Sequence, residues 1–228
     1  MTLWLSSFPR SGNTLFRQIL FAGWGLSSGS VYHRDLGDNL ALIRASGHVD
    51  LRLVNGPHGI EALNPHNLPI KTHDLPPHRA ARAIHVVRDG RAACVSLWHF
   101  TNRALPLADI VCGRTRFGTW SDHVMAWLAV EGLLAVVRYE DMIARIETVT
   151  AALVPIFGPP RGDPAEALRN RAALAEAEGT WVRPASDWRE HWSDACEELF
   201  RHHNAPALER LAGARAPALP EPVLALSA

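Results

Sequence analysis

The chain predicts an α/β fold: a single domain with a central parallel sheet flanked by helices. Three observations carry that prediction. Short apolar runs at Leu3–Leu5, Leu68–Thr72, Ala83–Arg88 and Leu133–Tyr139 are too brief for helices and suit buried strands. Helical patterns separate them, with apolar residues recurring on one face. At 228 residues, 47% of them hydrophobic, the chain can enclose a substantial core. Strands alternating with helices pair in parallel, and their ligands sit beyond the carboxyl ends of the strands.

The first strand, Leu3–Leu5, runs into Ser6-Ser7-Phe8-Pro9-Arg10-Ser11-Gly12-Asn13-Thr14, and then into a helix bearing Leu15, Phe16, Ile19 and Leu20 on one face. A strand that turns through Gly into a helix leaves backbone N–H groups without intrahelical partners. Those donors, the helix dipole and the Arg10 cation favour a phosphate or sulfate. Ser11 and Thr14 add hydroxyl donors at the same mouth. The standard nucleoside-triphosphate loop, G-x-x-x-x-G-K-[ST], is absent: Asn13 follows the Gly, and the cation precedes it.

Residues 24–67 are poor in pattern and rich in Gly, Ser, Asn and His, so they read as loops over the site. Trp120, Val124, Trp127 and Leu128 share one helical face, as do Trp188, Trp192, Leu199 and Phe200. These Trp residues, with Trp98 and Phe100, read as core rather than as ligand stackers. Asp163-Pro164-Ala165-Glu166 reads as an N-cap, a first-turn Pro and a capping carboxylate, opening a helix to about Glu178. Asp187 and Glu190 suggest the same for the last helix, and Glu140-Asp141 marks a helix start. The domain is expected over 1–203. An Ala/Pro/Leu-rich tail over 204–228 holds a short helix near Ala207–Leu211.

Lys plus Arg and Asp plus Glu balance at 23 each, which argues against a nucleic-acid partner. Three Cys (Cys94, Cys112, Cys196), odd in number and far apart, argue against a disulfide framework and for a reducing, cytoplasmic setting. Neither a signal peptide nor a membrane span is evident, and no metal-ligand set is visible.

Five segments, in order, resemble the sulfotransferases that use 3′-phosphoadenosine 5′-phosphosulfate, in particular the cytosolic type. Pro9-Arg10-Ser11-Gly12-Asn13-Thr14 is similar to their 5′-phosphosulfate loop. Lys71-Thr72-His73 resembles the Lys-Thr-His segment that ends a strand. Arg88, with Ser96 eight positions on, resembles the 3′-phosphate motif. Gly118–Trp127 with Val137–Met142 matches a family helix and the strand after it, and Ser186-Asp187-Trp188-Arg189 is similar to Gly-Asp-Trp-Lys. The resemblance spans Leu3 to about Phe200. The Ala- and Arg-rich composition points to a bacterial source.

The resemblance implies a P-loop-like sulfotransferase fold and in-line transfer of a sulfuryl group to a hydroxyl of a small molecule, a phenol among the candidates. It implies His73 as general base, with Arg10 and Lys71 stabilising charge. Arg10, Ser11, Gly12, Asn13 and Thr14 would hold the 5′ end of the donor, Arg88 and Ser96 its 3′-phosphate, and Tyr139 would approach the adenine. The chain departs from the family in three places. Leu15 stands where a Trp stacks on adenine. The Arg-Lys-Gly before Gly-Asp-Trp is missing, leaving Arg183 as a candidate after a register shift. Asp194 replaces a Val of the dimer contact, so the oligomeric state stays open. Two alternatives remain. A nucleotide-dependent phosphotransferase is disfavoured by the absent Gly-Lys-Ser/Thr. A non-catalytic nucleotide- or anion-binding module is disfavoured by the retained Lys71 and His73.

Overall fold

In the computed structural model, which describes residues 2–56, 59–63, 67–177 and 187–213, β1 (Leu3–Ser7) feeds α1 (Asn13–Trp24). There follow β2 (Gly29–Ser30), α2 (Leu40–Ala45), an antiparallel pair β3 (Arg52–Gly56) and β4 (Gly59–Leu63), and β5 (Ile70–Thr72). Next come β6 (Arg82–Val87), α3 (Gly90–Phe100), α4 (Leu107–Val111), α5 (Trp120–Leu128) and β7 (Gly132–Arg138). The chain continues through α6 (Tyr139–Ala144), α7 (Ile146–Phe157), α8 (Glu166–Ala177), a 3₁₀ turn (Trp188–His191) and α9 (Asp194–Gly213).

The main sheet has the order β2-β5-β1-β6-β7, and every pairing in it is parallel. Each sheet face carries helices. On one, Leu5, Ile84, Val86 and Val137 pack against Phe16, Ile19 and Leu20 of α1 and Leu153 of α7. On the other, Phe8 and Val87 pack with Cys94, Val111, Trp120, Val124 and Phe200 of α3, α4, α5 and α9. Fully burying a side chain such as Phe16 or Ile19 contributes roughly 1.5–3 kcal/mol. The parallel α/β layering expected from the four apolar runs is therefore the architecture observed.

Four expectations change. Residues 24–67 are not all loop, because β2, α2, β3 and β4 lie there. The face expected to join Trp188 to Phe200 is interrupted. Asp187 caps the 3₁₀ turn by accepting from the Arg189 N–H, and α9 starts afresh where Ser193 Oγ accepts from the Cys196 N–H at 3.2 Å. Asp163 accepts from the Ala165 N–H at 2.9 Å and forms a turn just before α8, which begins at Glu166. The boundary expected at 203/204 falls inside α9: Asn204 Oδ1 accepts from the Ser121 N–H at 2.9 Å and Ser121 Oγ from the Ala207 N–H at 3.2 Å. Residues 204–213 thus pack with the domain. Arg183 and Ser186 lie outside the described residues.

Gly12 is needed twice over. Its φ of 97° is left-handed, and a Cβ there would meet Tyr139 Cδ2 at 2.4 Å. Gly12→Ala is expected to lower stability by about 1–3 kcal/mol in urea denaturation. An unchanged midpoint would show that the turn relaxes without cost.

Candidate active site

The turn between β1 and α1 is fastened from within. Asn13 Nδ2 donates to the Leu5 carbonyl at 2.8 Å and to Ser7 Oγ at 3.2 Å, which ties the helix start to the strand. Arg10 also adopts a positive φ, 65°, and its carbonyl accepts from Arg88 Nη1 at 3.0 Å. The first turn of α1 therefore presents its N–H groups beyond the strand's carboxyl end. Thr14 lines the cavity there. Ser11 differs from expectation: it is buried and absent from the cavity wall, with no protein partner for its Oγ among the described residues.

His73 directly follows β5 and is held on every side. Its Nδ1 lies 2.8 Å from the Ser7 carbonyl. A carbonyl only accepts, so Nδ1 carries the proton and Nε2 keeps a lone pair. The His73 backbone N–H donates to Tyr32 Oη at 2.8 Å. His123 Nε2 donates to the His73 carbonyl at 3.1 Å, and Trp127 Nε1 to the Asp74 carbonyl at 3.1 Å. The imidazole stacks on Tyr32, with ring centres 5.7 Å apart, and meets Phe117 edge-on at 6.4 Å. Burial, and then the Lys71 charge, push His73 well below the ordinary imidazole value. Burial also pushes His123 down to about 4 and Tyr32 up to about 12, so a neutral ring lies behind His73 and a protonated phenol beside it.

Lys71, in β5, sits in a buried ionic chain. Its Nζ donates to Asp35 Oδ1 at 2.5 Å, and Asp35 Oδ2 accepts from Arg17 Nη1 at 3.0 Å. Arg17 Nε donates in turn to Ser28 Oγ at 2.7 Å. Burial alone would raise Asp35, but Lys71 and Arg17 outweigh it and hold the carboxyl below its ordinary value. The carboxylate therefore fixes the Lys71 ammonium at the cavity wall.

At the next strand end, Arg88 lies with its guanidinium carbon 4.4 Å from the centre of the Tyr139 ring. Arg171 of α8 approaches the same ring at 5.8 Å, and its Nη2 donates to Tyr139 Oη at 2.8 Å. Arg10 Nε donates to Ser96 Oγ at 3.3 Å, while its guanidinium lies 4.7 Å from the Phe100 ring centre.

One cavity of about 380 Å³ brings together Arg10, Gly12, Asn13, Thr14, Lys71, His73, Arg88, Ser96 and Tyr139. They come from four of the five segments singled out in the sequence; of the other residues named there, Ser11 is absent from the cavity wall and Arg183 lies outside the described residues. Phe100 and Trp188, expected in the core, line the wall as well. Sequence reasoning missed Arg17, Asp35, Tyr32 and Arg171. Arg17 is fully buried within a helix, and no spacing in the chain links it to residues 35 or 71.

A parallel sheet whose first strand turns through Gly into a helix, with cations and a neutral imidazole at one edge, is a framework suited to holding an anion. The profile of the sulfotransferase domain family matches residues 2–202, and the chain belongs to that family. It is 23% identical over 156 residues to sulfotransferase 2B1 of Rattus norvegicus, covering 53% of this chain and 45% of that protein. For sulfotransferase 2B1 of Homo sapiens the identity is 24% and the coverage 53% and 42%. The chain thus spans less than half the length of these curated relatives. Among solved structures it resembles mouse sulfotransferase SULT7A1 complexed with PAP, at TM-score 0.60 and 16% identity, over 93% of this chain and 89% of that one. It also resembles retinol dehydratase in complex with retinol and PAP, at TM-score 0.56 and 14% identity, over 91% and 81%. At these identities the likeness establishes the fold.

Asp35→Asn strands two buried cations and is expected to cost about 3–5 kcal/mol at neutral pH. Because the folded value of Asp35 is depressed, its contribution is present above about pH 4 and is lost as pH falls through that folded value. The gap between variant and parent should therefore close in acid. Equal urea midpoints at pH 7 would rule out this role.

Proposed function

We propose that the protein transfers a sulfuryl group from 3′-phosphoadenosine 5′-phosphosulfate to a hydroxyl of a small-molecule acceptor, with His73 as general base. The observation that carries this reading is the meeting, in one cavity, of an anion-binding turn, a neutral imidazole and a second cationic pole. Both solved relatives are complexed with PAP, the bisphosphate that remains once this donor has lost its sulfuryl group.

The residues present suit such a donor. The first turn of α1, with Gly12, Asn13, Thr14 and the Arg10 cation, suits the 5′ end. Arg88 and Ser96 suit the 3′-phosphate, and Tyr139 the neighbouring sugar and base. When bound, the donor supplies a sulfuryl group whose bond to the 5′-phosphate breaks as the acceptor oxygen attacks. Arg10 and the α1 N–H groups stabilise the charge that grows on the leaving phosphate, a preorganised effect typically amounting to ~10²–10³-fold. Lys71, held still by Asp35, presents a second cation to the transferring group. His73 Nε2 takes the acceptor's proton; the Nδ1–H bond to Ser7 keeps the required tautomer, and low basicity keeps the ring neutral at physiological pH. Tyr32 and Phe117 wall the base with aromatic surface, which favours a planar acceptor such as a phenol.

His73→Ala is expected to lower kcat by about 10²–10⁴-fold while 3′-phosphoadenosine 5′-phosphate binds within a few-fold of the parent. A variant keeping most of its turnover removes His73 from the chemistry. Since the folded pKa is depressed, the base stays unprotonated down the pH scale, so kcat/KM should hold level from about pH 8 to 6.5 and fall only below the ordinary imidazole value. An acid limb centred above pH 7 contradicts the assignment. Labelled transfer to a panel of phenols, alcohols, sugars and amines, with ATP and magnesium as rival donor, tests the reaction class. Turnover with ATP alone would overturn it.

A further inference from the structure

Two cations, Arg88 and Arg171, converge on one uncharged ring. Arg88 stacks on one part of Tyr139, and Arg171 approaches the same ring and donates to its hydroxyl. Neither makes an ion pair with a carboxylate among the described residues. Glu140 and Asp89 attract the Arg88 guanidinium without pairing with it, while Arg171 repels it; two guanidiniums on one ring gain most from a group with two negative charges and several acceptor oxygens. Both line the cavity that holds the anion-binding turn.

We infer that Arg171 is a second binding residue for the 3′-phosphate of the nucleotide, acting with Arg88 across Tyr139. This rests on the donor proposed above. It answers a gap left by the sequence: the C-terminal Arg-Lys-Gly is missing, and α8 supplies a guanidinium from another element instead. Tyr139 is the spacer. Its ring packs against Gly12 so closely that a Cβ there would lie 2.4 Å from Cδ2, and that contact sets the second pole at a fixed distance from the first. The forked guanidinium of Arg171 keeps three N–H donors beyond the two on Nη2, one of which is given to Tyr139. A phosphate entering between the two arginines can take charge-assisted hydrogen bonds from both. A nucleotide without the 3′ group leaves the pair unanswered, so Arg171 contributes to discrimination as well as affinity.

The test is calorimetric titration of the parent, Arg171→Ala, Arg171→Lys and Arg88→Ala with 3′-phosphoadenosine 5′-phosphate and with adenosine 5′-phosphate. Charge-assisted hydrogen bonds of this kind correspond to about 10–100-fold in affinity. Arg171→Ala should therefore lose about 10–100-fold for the bisphosphate and less than about 3-fold for the monophosphate, with Arg171→Lys between. Unfolding midpoints matching the parent establish that the loss is local; Arg171 is only half-buried, so its removal leaves no core void. Equal losses for both nucleotides, or none for either, would falsify the role of Arg171 while Arg88→Ala still reports on the donor. A parent that fails to prefer the bisphosphate overturns the donor reading itself, and this inference with it.

Discussion

Everything in the site depends on where the strands stop. β1 lies between β5 and β6, both parallel to it, with Ser6 level with Thr72 on one side and with His85 on the other. That register brings the turn before α1, the imidazole of His73 and the guanidinium of Arg88 out of the same edge. Backbone hydrogen bonding thereby fixes the spacing between the α1 turn, the Arg88 guanidinium and the His73 imidazole. A slip of one residue in β5 would also exchange its buried and outward faces and withdraw Lys71 from Asp35.

The second support is ionic. Arg17 on α1, Asp35 after β2 and Lys71 in β5 form one buried chain through three elements. Taking three charges out of water is costly, and such a chain persists where its geometry has use. Here it orients a lysine that would otherwise be a long, freely rotating side chain. The Asp35 carboxylate thus joins the β2–β5 pairing and the Tyr32–His73 hydrogen bond in tying the region between α1 and β5 to that edge.

How much of this could be read from the chain follows from the range of each interaction. Local signals held up: the apolar strands at Leu3, Ala83 and Leu133, the Gly12 turn, and Glu140-Asp141 at the head of α6. Family-like segments supplied Lys71, His73, Arg88 and Ser96, which meet in one cavity. Asp35 and Arg171 escaped because each acquires its role from a partner 36 or 32 residues away, and neither sits in a recurring local pattern. The helix drawn through Trp188 and Phe200 failed for a different reason. Their spacing is helical, but Ser193 offers its hydroxyl to the Cys196 N–H and starts a new helix between them.

The stacked imidazoles beneath His73 have an effect that reaches the whole fold. His85 and His123 are fully buried, 5.6 Å apart, and like His73 they are held neutral chiefly by burial. The unfolded chain takes up protons at these rings below about pH 6.5, whereas the native state refuses them until much lower, near 4 for His123. In that interval each ring draws the equilibrium toward unfolding by up to about 1.4 kcal/mol per pH unit. Mild acidification should therefore lower the stability of the whole fold, which makes acid tolerance the property this arrangement gives up for a dry, uncharged floor under His73.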